Sequence, residues 1–175
     1  MNENNIILIG FMGVGKSAIS RRLKKLTGMK EVDTDAMIVE RENMSISDIF
    51  AQKGEEAFRN METELLQELK HEKNLIISCG GGMALRDENA IIMKEAGAVV
   101  WLKARPETIL KRVKNDDKRP LLRGNKNVEF IGNLLNQRSP KYEAASHFYV
   151  NTDNRSIQSI SEEILERVGR ALNKK

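Results

Sequence analysis

Residues 10–17 have the types and spacing of a phosphate-binding loop. The segment reads G-F-M-G-V-G-K-S, in which four residues separate Gly10 from Gly15, and Lys16 and Ser17 follow. Glycines let the backbone approach an anion with its N–H groups pointing inward. Lys16 can then contact the outer phosphates as a point charge, and the Ser17 hydroxyl can become a ligand of Mg²⁺. The pattern predicts a site for a nucleoside triphosphate.

The residues around this loop supply the context that the motif requires. An apolar run at 6–9 precedes it, and Ile19, Leu23 and Leu26 follow at helical spacing. A helix that begins near Lys16 would add its positive end to the same spot. The alternative is a glycine turn that binds nothing, and the strand before and helix after the motif favour the phosphate site.

Two carboxylates follow the second apolar run, which ends in V-D-T-D at 32–35. If the chain is still extended there, Asp33 and Asp35 point to opposite sides, so one can serve a metal and the other a substrate. We assign Asp33 to Mg²⁺ and Asp35 to the hydroxyl of an acceptor. The alternative is a helix cap beside a solvated charge.

Further candidates for substrate binding lie at Arg59, Glu62 and the glycines at 80–82. Arg59 and Glu62 are three residues apart on a predicted helix, so the carboxylate can hold the guanidinium for bidentate binding of a substrate carboxylate. Three glycines after a strand leave room for a ligand, although a tight turn is the alternative. We interpret Cys79 as a small buried residue and not a nucleophile.

The segment 103–126 concentrates positive charge, with nine basic against three acidic residues. We predict a lid over the phosphates at about residues 114–126, because long loops in compact domains often cover a site. Arg119, held by Pro120, is the candidate for an arginine that neutralises charge on the transferred phosphoryl group. Arg138, placed after a helical stretch, is a second candidate for an anionic substrate.

Composition limits the class of protein. The chain has 175 residues, a net charge of +4 and one cysteine, so we expect a single domain without a disulfide, from a reducing compartment. We see neither a secretory leader nor an apolar run that could cross a bilayer, and expect a cytoplasmic protein. Low aromatic content (5%) argues against single-stranded nucleic acid as a partner.

Short apolar runs at 6–9, 75–77, 98–102 and 148–150, with a weaker one ending at Val32, alternate with segments of helical spacing. The pattern predicts an α/β fold with a parallel sheet covered on both faces. Ligands of such sheets gather at the carboxyl ends of the strands, where the candidate groups stand.

Together these motifs give a chain that resembles the shikimate kinase family over nearly its full length. The resemblance depends on an ordered set: residues 10–17, D-T-D at 33–35, F-R at 58–59 with Glu62, G-G-G at 80–82, R-P-L-L at 119–122, and Arg138 with Tyr142. It implies a three-layer P-loop kinase fold with a five-stranded parallel sheet, helices on both faces and a mobile lid. It also implies transfer of the ATP γ-phosphate to the 3-hydroxyl of shikimate, on the route to chorismate and the aromatic amino acids.

The resemblance also implies roles for individual residues. ATP as co-substrate would be bound by Gly13, Val14, Gly15, Lys16, Ser17, Ala18, Arg112, Arg119 and Arg155, with Arg112 and Arg155 bordering the adenine. Shikimate would be bound by Asp35, Arg59, Gly81, Gly82 and Arg138, within a helical region at about 34–62. The catalytic residues would be Asp35, Lys16 and Arg119, and Ser17 with Asp33 would hold Mg²⁺. We expect a monomer that binds neither nucleic acid nor membrane.

The sequence also bears on three other functions. A gluconate or nucleoside monophosphate kinase would share the phosphate loop, and a substrate assay separates these. A GTP-dependent switch usually carries N-K-x-D, but the nearest approach, N-K-N at 125–127, ends in Val128. A nucleic-acid binder that used the basic segment is disfavoured by the few aromatic residues.

Overall fold

The computed structural model describes residues 4–114, 124 and 127–172. Five strands form one sheet. They are β1 (Asn5–Ile9), β2 (Lys30–Asp33), β3 (Leu75–Ser78), β4 (Gly97–Lys103) and β5 (Phe148–Asn151). All pairings are parallel, and the spatial order is β2-β3-β1-β4-β5. Every residue of the central β1 is buried.

The helices are α1 (Lys16–Thr27), α2 (Thr34–Glu42), α3 (Ile46–Lys53), α4 (Glu55–Leu69), α5 (Asp87–Ala96), α6 (Pro106–Val113), α7 (Val128–Ala145) and α8 (Ile157–Leu172), and a 3₁₀ turn covers Met83–Leu85. They bury apolar side chains such as Ile19, Leu65 and Ile164 against the sheet. Alternating strands and helices in a parallel sheet confirm the predicted α/β fold. No helix of the described residues is long and apolar enough to cross a membrane.

Local sequence signals account for several helix ends. The Ser45 hydroxyl caps α3 by accepting a hydrogen bond from Asp48 N at 3.1 Å. Arg105 is the N-cap of α6 with Pro106 at the first helical position, as the sequence predicts. Gly54 ends α3 and precedes α4.

Two expectations about local structure are wrong. The chain is not extended through Asp35: α2 begins at Thr34, because Asp33 Oδ1 accepts from Ala36 N at 3.0 Å and caps the helix. Arg138 does not follow a helix but lies inside α7, which continues through Pro140. That continuation buries Tyr142 and Ala145, and the Ser139 hydroxyl bonds to Leu135 O at 2.6 Å.

The position of β3 beside β1 sets up the site. The phosphate loop leaves β1, the D-T-D segment leaves β2 and the glycines leave β3, so three neighbouring strands end at one edge. Most of the predicted lid at 114–126, including Arg119, lies outside the described residues.

Candidate active site

The phosphate loop has a backbone that requires glycine at specific points. Gly10 has φ 144°, and a Cβ there would lie 2.5 Å from Leu102 O on β4. Gly13 has φ 79°, and its Cβ would lie 2.7 Å from Val113 Cγ1 on α6. At these two points the loop backbone packs directly against β4 and α6, which a side chain would prevent.

Gly15 is the N-cap of α1, in the left-handed region at φ 103°. Glycine has no side chain with which to cap the first N–H groups of the helix. A bound phosphate can take that place and interact with the positive end of the helix dipole. The start of α1 is therefore built as an anion site.

Lys16 folds back over the loop that precedes it. Its Nζ donates hydrogen bonds to Gly10 O at 2.8 Å and to Phe11 O at 3.1 Å. The ammonium group is thus held at the mouth of the loop by neutral carbonyls, and a phosphate oxygen is a stronger partner for it.

A cleft of about 450 Å³ opens beside Lys16. Its volume falls within the range of small-molecule sites. The cleft brings together residues from the phosphate loop, the start of α1, the D-T-D segment, the glycine segment and α6. Its lining residues include Gly13, Gly15, Lys16, Ser17, Ala18, Asp33, Asp35, Gly80, Gly81 and Arg112.

Thr34 connects the D-T-D segment with the glycine segment. Its Oγ1 accepts a hydrogen bond from Gly80 N at 2.9 Å and donates to Ser78 O at 3.4 Å, and the side chain is fully buried. Sequence reasoning missed this role, although a hydroxyl residue between the two carboxylates was the signal. The link sets the distance between Asp35 and the glycines.

The glycine segment allows charged side chains to approach the backbone. A Cβ on Gly80 would lie 2.4 Å from Asp35 Oδ1, and a Cβ on Gly82 would lie 2.3 Å from Arg59 Nη1. Any other residue at either position would push these groups away. Gly80, Gly81 and Gly82 therefore form a surface, here called the glycine floor, on which a carboxylate and a guanidinium can both face a ligand.

The predicted pair of Arg59 and Glu62 is present on α4. Arg59 Nη1 donates to Glu62 Oε2 at 2.7 Å, and Nη2 donates to Glu55 Oε1 at 3.1 Å. The Arg59 side chain is 15% exposed and that of Glu62 is 1% exposed. Burial lowers the pKa of Arg59, but the two carboxylates outweigh burial and raise it, so the guanidinium stays charged.

The second carboxylate oxygen of Glu62, Oε1, is buried without a hydrogen bond in the described part of the chain, residues 4–114, 124 and 127–172. Burial raises the pKa of this carboxyl to about 7, with Arg59 opposing the rise and Asp35 adding to it. An orphaned polar atom of this kind marks a site that a ligand or water completes.

Arg138 approaches the same floor from α7. Its guanidinium lies 5.5 Å from the centre of the Phe11 ring, a cation–π distance, and Phe11 belongs to the phosphate loop. The neighbouring Tyr142 donates its hydroxyl to Gly81 O at 2.6 Å, while burial raises the pKa of that hydroxyl and Arg138 opposes the rise. Arg138 and Arg59 thus flank the glycine floor from two helices.

The two arginines expected near adenine differ in their surroundings. Arg112 lines the cleft and donates to Gly13 O at 3.2 Å, Val14 O at 3.1 Å and Thr152 Oγ1 at 3.1 Å. Arg155 contacts Glu163 at 2.5 Å and Ser159 Oγ at 2.8 Å, and is not among the residues that line the cleft. The structure brings Arg112, but not Arg155, to the phosphate loop.

Cys79 lies at the bottom of the cleft and is 1% exposed. Burial raises the pKa of its thiol far above the ordinary value. The thiolate, which is the reactive form, is therefore suppressed, in agreement with the interpretation of Cys79 as a packing residue.

The donor set beside Lys16 fits a hard cation that enters with a ligand. Ser17 and Asp33 both line the cleft, and hydroxyl and carboxylate oxygens are the donors that Mg²⁺ prefers. No group of three or more His, Cys, Asp or Glu side chains suited to a metal occurs within the described part of the chain. Mg²⁺ at this place would therefore need phosphate and water oxygens as well.

The chain is similar in sequence to the proteins of one family. A family model described as shikimate kinase matches residues 12–169. A shikimate kinase of Dehalococcoides mccartyi is 44% identical over 93% of this chain and 92% of its own length. A shikimate kinase of Moorella thermoacetica is 41% identical over 93% and 92%, respectively.

Solved structures show the same similarity. A shikimate kinase from Acinetobacter baumannii in complex with shikimate has a TM-score of 0.91 and 32% identity, and the match covers 97% of this chain and 95% of that one. A gluconokinase from Sinorhizobium meliloti has a TM-score of 0.64 at 16% identity, covering 98% of this chain and 95% of that one, which shows a shared fold alone.

Proposed function

The chain belongs to the shikimate kinase family and is an ATP-dependent kinase that phosphorylates shikimate, and we propose that the acceptor is the 3-hydroxyl and that the cleft beside Lys16 is where transfer occurs. One observation carries the proposal of the site: Lys16, Ser17, Asp35 and the glycines Gly80 and Gly81 line a single cleft. The phosphate loop therefore shares a cleft with Asp35, Gly80 and Gly81, whereas Arg59, Gly82 and Arg138 are not among the residues that line it.

The phosphate half consists of the loop and the start of α1. Gly13, Val14, Gly15 and Ala18 surround the triphosphate through their backbone, and Lys16 exchanges its bonds to Gly10 O and Phe11 O for phosphate oxygens. Arg112, bonded to the carbonyls of Gly13 and Val14, keeps the loop in shape and borders the nucleotide. Arg155 is proposed at the adenine from the family resemblance.

The metal would be held by Ser17 and Asp33. Asp33 Oδ1 accepts the hydrogen bond that caps α2, which leaves the second carboxylate oxygen for a metal. The cap is therefore compatible with metal binding, direct or through water. Bound Mg²⁺ supplies neutralisation of phosphate charge.

The acid half is proposed at the glycine floor. Arg59 and Arg138 bind the carboxylate of shikimate, because guanidinium groups match a carboxylate with two parallel hydrogen bonds. Gly81 and Gly82 form the surface beneath the ring of the acid. Asp35 accepts a hydrogen bond from the acceptor hydroxyl and orients it toward the phosphoryl group.

Arg119 and the lid complete the proposal. Arg119 would neutralise charge on the phosphoryl group in transfer; it lies outside the described residues, and its role follows from the family resemblance and from the R-P-L-L sequence. We further propose a single cytoplasmic domain that acts as a monomer and binds neither nucleic acid nor membrane; the low aromatic content and the net charge of only +4 support the absence of a nucleic-acid partner.

A coupled assay of ADP release tests the function. Shikimate, gluconate and nucleoside monophosphates are offered separately with ATP and Mg²⁺, and shikimate is expected to give by far the highest kcat/KM. A higher kcat/KM for gluconate or a nucleoside monophosphate would overturn the assignment. Product analysis by phosphorus NMR then tests which hydroxyl is phosphorylated.

A further inference from the structure

Arg86 makes polar contacts with three residues of α4 from the turn that follows Gly80–Gly82. It lies between the 3₁₀ turn and α5, as the N-cap of α5. Its Nη1 donates to Asn60 Oδ1 at 2.9 Å and to Thr63 Oγ1 at 3.5 Å, and its Nη2 pairs with Glu56. The Arg86 side chain is 25% exposed, but that of Glu56 is 83% exposed, so the ion pair is open to water and the hydrogen bonds to Asn60 and Thr63 contribute most of the link to α4.

The three partners of Arg86 occupy one stripe of α4. Glu56, Asn60 and Thr63 are spaced i, i+4 and i+7, which places them along one face of a helix. Glu55, Arg59 and Glu62 have the same spacing one residue earlier and form the adjacent stripe. Arg86 therefore contacts the helix directly beside the residues that approach the acid site.

A buried link reinforces this contact. Thr63 Oγ1 lies 2.8 Å from Asn89 Oδ1, and Asn89 Nδ2 donates to Met83 O at 2.9 Å. Asn89 is fully buried, and Met83 directly follows the glycine floor. The stripe on α4 is thus fixed at two points to the same chain segment that carries Gly80–Gly82.

The distances at Gly82 leave little tolerance for movement of α4. A Cβ on Gly82 would lie 2.3 Å from Arg59 Nη1, so the guanidinium occupies the space that only glycine leaves open. A shift of α4 by a fraction of an ångström changes how Arg59 presents its two N–H groups. Bidentate binding of a carboxylate is sensitive to such shifts.

Arg86 also acts on the site through its charge. Burial is the main influence on Glu62 and raises its pKa to about 7, while Arg59 and Arg86 both act in the opposite direction and Asp35 adds to the rise. A cation at Arg86 therefore helps to keep Glu62 ionised, and the ionised carboxylate is the better partner for Arg59.

We propose that Arg86 is a positioning residue for the part of the site that binds shikimate. Its ion pair with Glu56 and its hydrogen bonds to Asn60 and Thr63 hold α4 in place. They thereby fix Arg59 against Gly82 and set the affinity for the carboxylate of shikimate. The proposal rests on the assignment of Arg59 to that carboxylate. Arg86 does not contact the cleft itself, since it is not among the residues that line it.

Steady-state kinetics with both substrates tests the proposal. Arg86→Ala is expected to raise KM for shikimate about fivefold, the size of one ordinary hydrogen bond, with KM for ATP unchanged. It is also expected to move the acid limb of the pH profile of kcat/KM for shikimate to higher pH. Arg86→Lys keeps the positive charge and should leave that limb in place.

Arg41→Ala is the matched control. Arg41, on α2, binds Glu68 of α4 through two hydrogen bonds of 2.9 Å and 2.6 Å. Glu68 lies at the opposite end of α4 from Arg59. The control variant should alter neither KM nor the pH profile. The proposal is overturned by an unchanged KM for shikimate in Arg86→Ala, by a parallel rise in KM for ATP, or by the same rise in Arg41→Ala.

Two further variants keep the proposal testable if Arg86→Ala does not fold or if an underlying assignment is wrong. If Arg86→Ala does not fold, the double variant Glu56→Ala with Asn60→Leu removes two of the three contacts of Arg86 with α4, and an unchanged KM for shikimate there rejects the proposal. Failure of the underlying assignments is separable: no shikimate turnover by the unaltered protein rejects the function, and no KM change in Arg59→Ala rejects the role of Arg59.

Discussion

Arg59 and Glu62 form an ion pair of 2.7 Å in which the guanidinium keeps contact with the site while the carboxylate is shut away from water. Only one carboxylate oxygen, Oε2, takes part in the pair, and Oε1 remains unsatisfied within the described ranges 4–114, 124 and 127–172. Removing a carboxylate from water is costly, and one ion pair does not fully compensate it. The pair therefore holds Arg59 in place at a cost in stability that depends on pH.

The stability of the protein should fall as pH rises because of Glu62. Its pKa in the folded state is raised from 4.5 to about 7, so the folded state binds more protons between these values than the unfolded state. The contribution is fully present below pH 4.5 and is lost as pH rises through 7. Glu62→Gln should remove about 2 kcal/mol of the difference in unfolding free energy between pH 5 and pH 7.5.

Urea titrations at these two pH values measure that difference. Glu68→Gln, on the exposed side of the same helix, is the control and should leave the difference unchanged. If Glu62→Gln retained the full pH dependence, another group would be responsible for it.

Lys16→Ala should abolish turnover while the protein remains folded. The ammonium group donates to the carbonyl oxygens of Gly10 and Phe11 in its own loop, so its loss removes the phosphate anchor. A decrease of kcat by about a factor of 10³ is expected when a preorganised charge at the reacting group is removed. Lys24→Ala, exposed on the same helix, should retain activity. Retained turnover in Lys16→Ala would refute the phosphate half of the site.

Arg138→Ala should weaken binding of the acid and leave ATP binding intact. Arg138 flanks the glycine floor and contacts Phe11 through its ring, so its loss removes a charged partner of the carboxylate. A decrease of about 10- to 100-fold in kcat/KM for shikimate is expected. Arg170→Ala, in an exposed pair with Glu166, serves as the control. Weakened affinity for ATP instead of shikimate, measured by titration calorimetry, would contradict the division of the site into two halves.

Gly82→Ala should act on Arg59 without straining the backbone. Gly82 has φ −98° and ψ −11°, which alanine adopts readily, but its Cβ would lie 2.3 Å from Arg59 Nη1. The guanidinium must move, so KM for shikimate should rise about tenfold. Gly169→Ala is the control, because nothing lies within 4 Å of its Cβ in α8, and it should stabilise the protein by up to about 1 kcal/mol. An unaltered KM in Gly82→Ala would show that Arg59 is not held tightly.

Thr34→Val should lower the free energy of unfolding because it removes the hydrogen-bond acceptor of Gly80 N. The substitution keeps the shape of the side chain but leaves a buried N–H without its acceptor, at a cost of about 1–3 kcal/mol. Thr27→Val is the control: the Thr27 hydroxyl also accepts from a backbone N–H, that of Met29 at 3.2 Å, but Thr27 is exposed and water can replace it, so stability should change by less than about 0.5 kcal/mol. Chemical denaturation compares the two. Equal effects would argue against a structural link at Thr34.

Sequence alone determined the parts of this protein that depend on residues close together in the chain. The phosphate loop, the pairing of Arg59 with Glu62 and the cap at Arg105 each involve residues within one loop or one helical turn, where backbone geometry fixes the relation. The alternation of apolar runs with helical spacing was enough for the parallel α/β fold, because parallel strands need a long crossover connection, which is usually a helix.

Tertiary structure decided which of these parts meet. β3 pairs with β1, which brings Gly80 and Gly81 to Lys16, and the capping of α2 by Asp33, not an extended chain, directs Asp35 toward Gly80. Tyr142 and Ala145 stay helical beyond Pro140 because their burial outweighs the lost backbone bond. The burial of Glu62 Oε1 without a hydrogen bond, within the described residues, depends on tertiary packing. The hydrogen bonds of Arg86 to α4 likewise join segments about 25 residues apart, which no local pattern encodes.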